Sequence, residues 1–155
     1  MKNYCGIDPG KTGGFAIIDD SGITAEVFPL CNNEIDIKKI SEFFSPLEDP
    51  ICCLEKVHSS PQQGVCSAFS FGRSYGEIIG MLKTLSIPYV LVTPQAWKKK
   101  VLAGMNWKGN KKIAAEFCMR KYPKLDLRES ERCRVPHMGL VDALCIAEYC
   151  KATEA

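Results

Sequence analysis

The chain has 155 residues, 46% hydrophobic and 25% charged, which suits one globular domain over 1–155 whose core needs no staples. No run approaches the roughly 20 apolar residues of a membrane-spanning helix, and a strand-like segment from Asn3 gives no expectation of a secretory leader. Nine cysteines, an odd number with no C-x-x-C pair, sit mostly in apolar runs and are expected to be reduced core thiols of a cytoplasmic protein.

Residues 3–8, 13–19 and 22–28 read as three strands, joined by a Pro-Gly-rich turn and by Asp20-Ser21-Gly22. "NEIDIKKISEFFSPL" places Ile35, Ile37, Ile40, Phe43 and Phe44 at near-helical spacing and stops before Pro46. "ICCLEK" (51–56) is short and almost continuously apolar, as a buried parallel strand should be. A polar loop over 58–65 precedes a long helix to about Leu85, and Pro88–Thr93 reads as another buried strand. Helices are expected over about 94–103 and 110–121, then a polar loop, then a helix from about Gly139 to Lys151. The order β-β-β-α-β-α-β-α implies a mixed five-stranded α/β sheet: an antiparallel meander of three strands with two parallel strands beside it.

The formal net charge of +2 conceals a segregation. Residues 1–55 carry 10 acids and 4 bases, whereas residues 56–115 carry 1 acid and 9 bases. Between Glu77 and Glu116 there is no acid, while Lys83, Lys98, Lys99, Lys100, Lys108, Lys111 and Lys112 accumulate around Trp97 and Trp107. A solvated lysine face is one reading of this segment. Basic residues interleaved with aromatics also suit a nucleic-acid backbone with accessible bases.

Three acids interrupt or terminate apolar segments. Asp8 ends the first strand, Glu55 ends the fourth, and Asp142 stands near the start of the apolar helix "HMGLVDALCIAEYC". If the first and fourth strands are parallel neighbours, Asp8 and Glu55 leave the sheet at the same edge, where sites form in open sheets. Each acid alone has a structural explanation: a turn former, a lysine partner, a complement to the helix dipole. Together they form a set of hard oxygen donors whose mutual repulsion calls for Mg²⁺ or Mn²⁺, as in metal-dependent phosphoryl transfer.

"GIDPGKTGGFAIID", "CCLEKV", "FSFGRSYGEIIGML", "VTPQAWKKKVL" and "VDALCIAEY", in this order over about residues 3–150, resemble the RuvC-type Holliday junction resolvases of the RNase H and retroviral-integrase superfamily, in the phage and organelle-like branch. The resemblance implies an RNase H-like fold and a homodimer. It implies Mg²⁺-dependent resolution of four-way DNA junctions by paired symmetric nicks, with two ions per site and a 5′-phosphate product. By resemblance Asp8, Glu55 and Asp142 are catalytic metal ligands.

The family's further acid or histidine has no counterpart one turn before Asp142, where Met138 and Gly139 stand; His137 is the nearby substitute for that ligand and catalytic role. Lys111 and Lys112 match basic residues near the scissile phosphate or junction arms, and Lys98 and Lys108 join them as DNA contacts. His58 and Gln63 lie in "VHSSPQQG", where the family inserts a residue at the junction centre, and the resemblance makes them candidate DNA contacts to unpaired bases. The long helix after it implies the dimer interface. The expected setting is the cytoplasm of a bacterial or phage-infected cell, ahead of an organelle matrix. Alternatives are an RNase H-like nuclease on RNA/DNA hybrid or RNA, a non-catalytic junction binder, and an ATPase of the actin and sugar-kinase type. The last lacks the second phosphate-binding hairpin and the two-domain length it would need.

Overall fold

The computed structural model describes residues 1–154. Its five-stranded sheet contains β1 (Lys2–Asp8), β2 (Gly14–Asp19), β3 (Gly22–Val27), β6 (Asp49–Glu55) and β7 (Tyr89–Val92), ordered β3-β2-β1-β6-β7. The pairs β1–β2 and β2–β3 are antiparallel, and β1–β6 and β6–β7 are parallel. The expected meander with two parallel additions is therefore present.

A ribbon not foreseen from the residue pattern follows β3: β4 (Leu30–Cys31) pairs antiparallel with β5 (Glu34–Ile35). Asn32 and Asn33 bridge it with φ of 51° and 64°. Two consecutive left-handed residues make the tight hairpin turn that asparagine tolerates.

Alternation along the strands divides the core. Cys5 and Ile7 of β1, with Cys52 and Leu54 of β6, face α1 (Ile37–Phe44) and α2 (Val65–Thr84). Tyr4 and Cys53 face the opposite layer of α3 (Pro94–Val101), α4 (Lys112–Lys121) and α5 (Met138–Glu154). Period-two alternation puts Asp8 and Glu55 on this second face.

Helix starts follow local chemistry. Asp36 accepts from the Lys39 N–H at 3.1 Å to cap α1, and Ser45 ends it before Pro46. Thr93 accepts from the Ala96 N–H at 3.2 Å, with Pro94 in the first turn of α3. The apolar run of β7 suggests a strand buried on both sides, but the structure differs. Val90 and Leu91 remain 51% and 46% exposed, because β7 is the sheet edge; Val92 is buried and Tyr89 packs partly buried against the α1–α2 layer. No described helix is long and apolar enough to cross a membrane.

Candidate active site

The parallel register pairs Ile7 with Leu54. The next residue on each strand is a carboxylate, Asp8 and Glu55, on neighbouring strands about 4.8 Å apart. Both side chains therefore leave the sheet on the same face and at the same edge.

Asp142 arrives from α5, which lies directly across β1. A Cβ on Gly6 would stand 2.2 Å from the Ala147 nitrogen and 2.3 Å from the Ala143 oxygen, so only glycine lets the helix rest on the strand. Gly139 makes the second close approach: its Cβ would lie 2.5 Å from the Thr12 oxygen and 3.0 Å from the Gly13 carbonyl carbon. The strand runs from Gly6 to Asp8 as the helix runs back from Ala147 and Ala143 toward Gly139. Asp142 is thereby delivered beside Asp8.

Electrostatics reports the convergence. Burial, then the charges of Glu55 and Asp142, push the Asp8 carboxyl up to about 8. Burial and Glu55 push Asp142 up to about 6, while Lys98 and Lys111 pull it down. Burial raises Glu55, opposed by a hydrogen bond from Trp97 and by the Lys98 charge. Three carboxylates that each raise or bear one another's charge cannot all ionise cheaply near neutral pH without a cation among them. Their donor set is all oxygen, which fits a hard divalent ion. Among the described residues no three His, Cys, Asp or Glu side chains already close on one ligating point. The acids share an edge rather than a finished cage.

His137 stands at the start of α5. Its carbonyl accepts from the N–H groups of Leu140 and Val141, each at 3.1 Å, and its own N–H donates to the Leu127 oxygen at 2.7 Å. Its Nδ1 accepts from the Gly139 N–H at 3.1 Å. His137 is thus the helix cap, a role in which an acceptor side chain satisfies an otherwise unpaired amide. With Nδ1 accepting, a neutral ring carries its proton on Nε2. Such a ring donates from Nε2, and ligating an ion through that nitrogen requires giving up the cap.

The loop before His137 is stitched by Arg128. Its Nε and Nη2 fork onto the two oxygens of Asp126 at 2.9 Å each, and Nη1 reaches the carbonyls of Glu131 and Cys133 at 3.3 Å.

Of the expected DNA contacts, Lys98 and Lys111 lie within electrostatic reach of the carboxylates. Lys98 Nζ sits 5.3 Å from the Trp97 ring centre, and Lys108 Nζ 6.0 Å from that of Trp107. Lys112 opens α4, exposed to solvent. His58 is exposed in the loop leaving β6. Gln63 in the same loop is engaged locally: its Nε2 donates to Ser67 Oγ at 3.3 Å and its Oε1 accepts from the Ser60 N–H at 3.4 Å.

Trp97 departs from its expected place. It is fully buried, and its indole Nε1–H donates to Glu55 Oε2 at 3.0 Å. It is not available to stack on a base. Trp107 is half-buried against the same core layer. The one sequence hint to the buried role was position: a Thr-Pro helix start straight after a strand parallel to the one bearing Glu55 puts the first turn of α3 at that edge.

No family model and no curated protein matches the sequence. Solved structures do match. A Thermus thermophilus RuvC in complex with a Holliday junction substrate is 19% identical, with a TM-score of 0.65 over 100% of this chain and 97% of that one. A second Thermus thermophilus RuvC structure is 22% identical, TM-score 0.57, covering 92% of this chain and 89% of that one. A Fowlpox virus resolvase complexed with Holliday junction DNA is 13% identical, TM-score 0.56, covering 98% and 99%. What is shared at these identities is the fold, and the RNase H-like architecture expected from the motifs is the one observed.

Proposed function

We propose that the chain is a metal-dependent endonuclease that resolves four-way DNA junctions as a homodimer, one nick per subunit. The observation that carries the reading is the meeting of Asp8, Glu55 and Asp142, from two parallel strand ends and the helix laid across them, with the carboxyls of Asp8 and Asp142 held up by burial and mutual charge. The likeness to two resolvases solved with junction DNA supports the substrate class.

Asp8, Glu55 and Asp142 would hold the ions. Two bound Mg²⁺ ions would supply an activated water and neutralise charge on the attacked phosphate and its leaving oxygen, giving a 5′-phosphate. The capped geometry of His137 suits donation from Nε2 to a phosphate oxygen or to water. Lys98 and Lys111 would attract the phosphate backbone toward the acids, with Lys108 and Lys112 further along.

Dimerisation is supported by one face of α2. Val65, Phe69, Gly72 and Gly76 follow a helical i, i+4, i+7, i+11 repeat, with Val65 and Phe69 exposed by 85% and 73%. Cβ atoms at Gly72 and Gly76 would touch nothing, so a second backbone can approach closely there.

The test is strand-by-strand cleavage of a labelled four-way junction in Mg²⁺, with linear duplex and RNA/DNA hybrid as controls and Asp8→Asn as the blank. Paired symmetric nicks at the junction, absent in the variant, are expected. Preference for the hybrid would transfer the chain to the ribonucleases, and junction binding without cleavage would make it a binder.

A further inference from the structure

Glu55 differs from its two partner acids in one respect: a buried, neutral donor is bonded to it. Trp97 is 0% exposed, its indole has a single N–H, and that N–H points at Glu55 Oε2 from 3.0 Å. The indole is held from all sides. It packs in the core layer with Leu102, Ala114, Cys118 and Leu144. Its helix starts on the Thr93 cap, and the register of Glu55 opposite Val92 fixes where that helix starts relative to the acid.

We propose that Trp97 is a positioning residue for Glu55: the indole N–H occupies Oε2 and fixes the rotation of the carboxylate, leaving Oε1 directed to the edge shared with Asp8 and Asp142. This rests on the reading of Glu55 as an ion-holding acid. A neutral donor suits the task. It orients the carboxylate without neutralising it, so the charge stays available to a divalent ion, whereas an ammonium in the same place would compete with that ion. Lys98, the adjacent cation, lies instead over the face of the indole, 5.3 Å from its centre. An acid with no such donor would sample several rotations and lose ordering entropy on each ion capture.

The experiment measures Mn²⁺ binding to the full chain without DNA, by electron paramagnetic resonance and calorimetry. The proteins are wild type, Glu55→Gln, Trp97→Phe and the double variant. A further protein carries 3-benzothienylalanine at position 97, which keeps the bicyclic shape and lacks the N–H. Trp97→Phe is expected to weaken Mn²⁺ binding roughly tenfold or more. The double variant should bind no more weakly than Glu55→Gln, because both changes act through one carboxylate. Junction affinity measured in Ca²⁺ should stay within about twofold, while the Mn²⁺ midpoint for nicking rises by the same factor as the binding constant.

Full Mn²⁺ affinity in the benzothienylalanine protein, alongside a loss in Glu55→Gln, would overturn the positioning role and leave the ion-holding role of Glu55 intact. Additive losses in the double variant would overturn it as well. Indifference of Mn²⁺ binding to Glu55→Gln would remove the premise, and the inference with it. Should Trp97→Phe fail to fold, the benzothienylalanine protein decides alone.

Discussion

Replacing Asp8 with asparagine should stabilise the metal-free protein while abolishing its chemistry. The Asp8 carboxyl is held at about 8 against an ordinary value of 3.8, with burial the largest cause and the Glu55 and Asp142 charges next. A carboxyl whose folded value is raised supports folding fully at low pH, where it is protonated in both states. That support is lost as pH climbs from the unfolded value through the folded one. Near pH 8 the penalty for ionising Asp8 in the fold has an upper bound of about 5 kcal/mol, from about 1.4 kcal/mol per unit. Water at the open edge lowers this to about 2–3 kcal/mol. Asparagine keeps the shape and removes the charge. In chelator at about pH 8, Asp8→Asn should melt roughly 5–10 °C above wild type. Near pH 5 the advantage should shrink to about a third, since wild-type Asp8 then remains largely protonated in the fold. Millimolar Mg²⁺ should raise the wild-type melting temperature near pH 8 and leave the variant unmoved. Calorimetric melts at the two pH values, with and without Mg²⁺, check this. A variant less stable than wild type near pH 8 in chelator, or an advantage equal at both pH values, would refute the account of three repelling acids.

Three further outcomes are expected. Gly6→Ala drives a methyl into the α5 backbone at 2.2 Å and should cost about 3 kcal/mol or more, read by urea denaturation, with loss of the site because Asp142 is displaced with the helix. His137→Ala removes a cap acceptor and should cost about 1 kcal/mol of stability, with slowed nicking, whereas His137→Asp restores the cap and most of the stability; melting temperatures and single-turnover rates together separate the two roles. Gly76→Glu, on an exposed helix face with nothing nearby, should leave the monomer folded and shift light-scattering mass from dimer to monomer, reducing paired nicks to single ones.

The candidate site was legible in large part because its signals are local. A carboxylate at the end of "CGID" or "CCLE", or inside "LVDALCIA", conflicts with the apolar run that holds it, and the conflict is written in consecutive residues. The strand and helix order came from period-two and near-helical spacing in the same way. Misreadings fall where long-range contact overrides composition. Trp97 looked like a base-stacking aromatic because it stands among lysines, and its actual partner is 42 residues away across two parallel strands. Val90 and Leu91 looked buried because they are apolar, and sheet order alone makes β7 an edge.

Which residues are costly to bury, and which segments must bury them, follows from side-chain chemistry and backbone periodicity and is readable in the order of residues. Which of those costs are shared depends on how distant segments pack. Gly6 and Gly139 let α5 lie against β1, and the parallel register sets Glu55 next to Asp8. His137 Nδ1 spends its lone pair on the Gly139 amide, and the Trp97 indole spends its proton on Glu55. Each pairing depends on close approach and direction between separate segments, and neither distance nor direction is encoded in the residues of one segment.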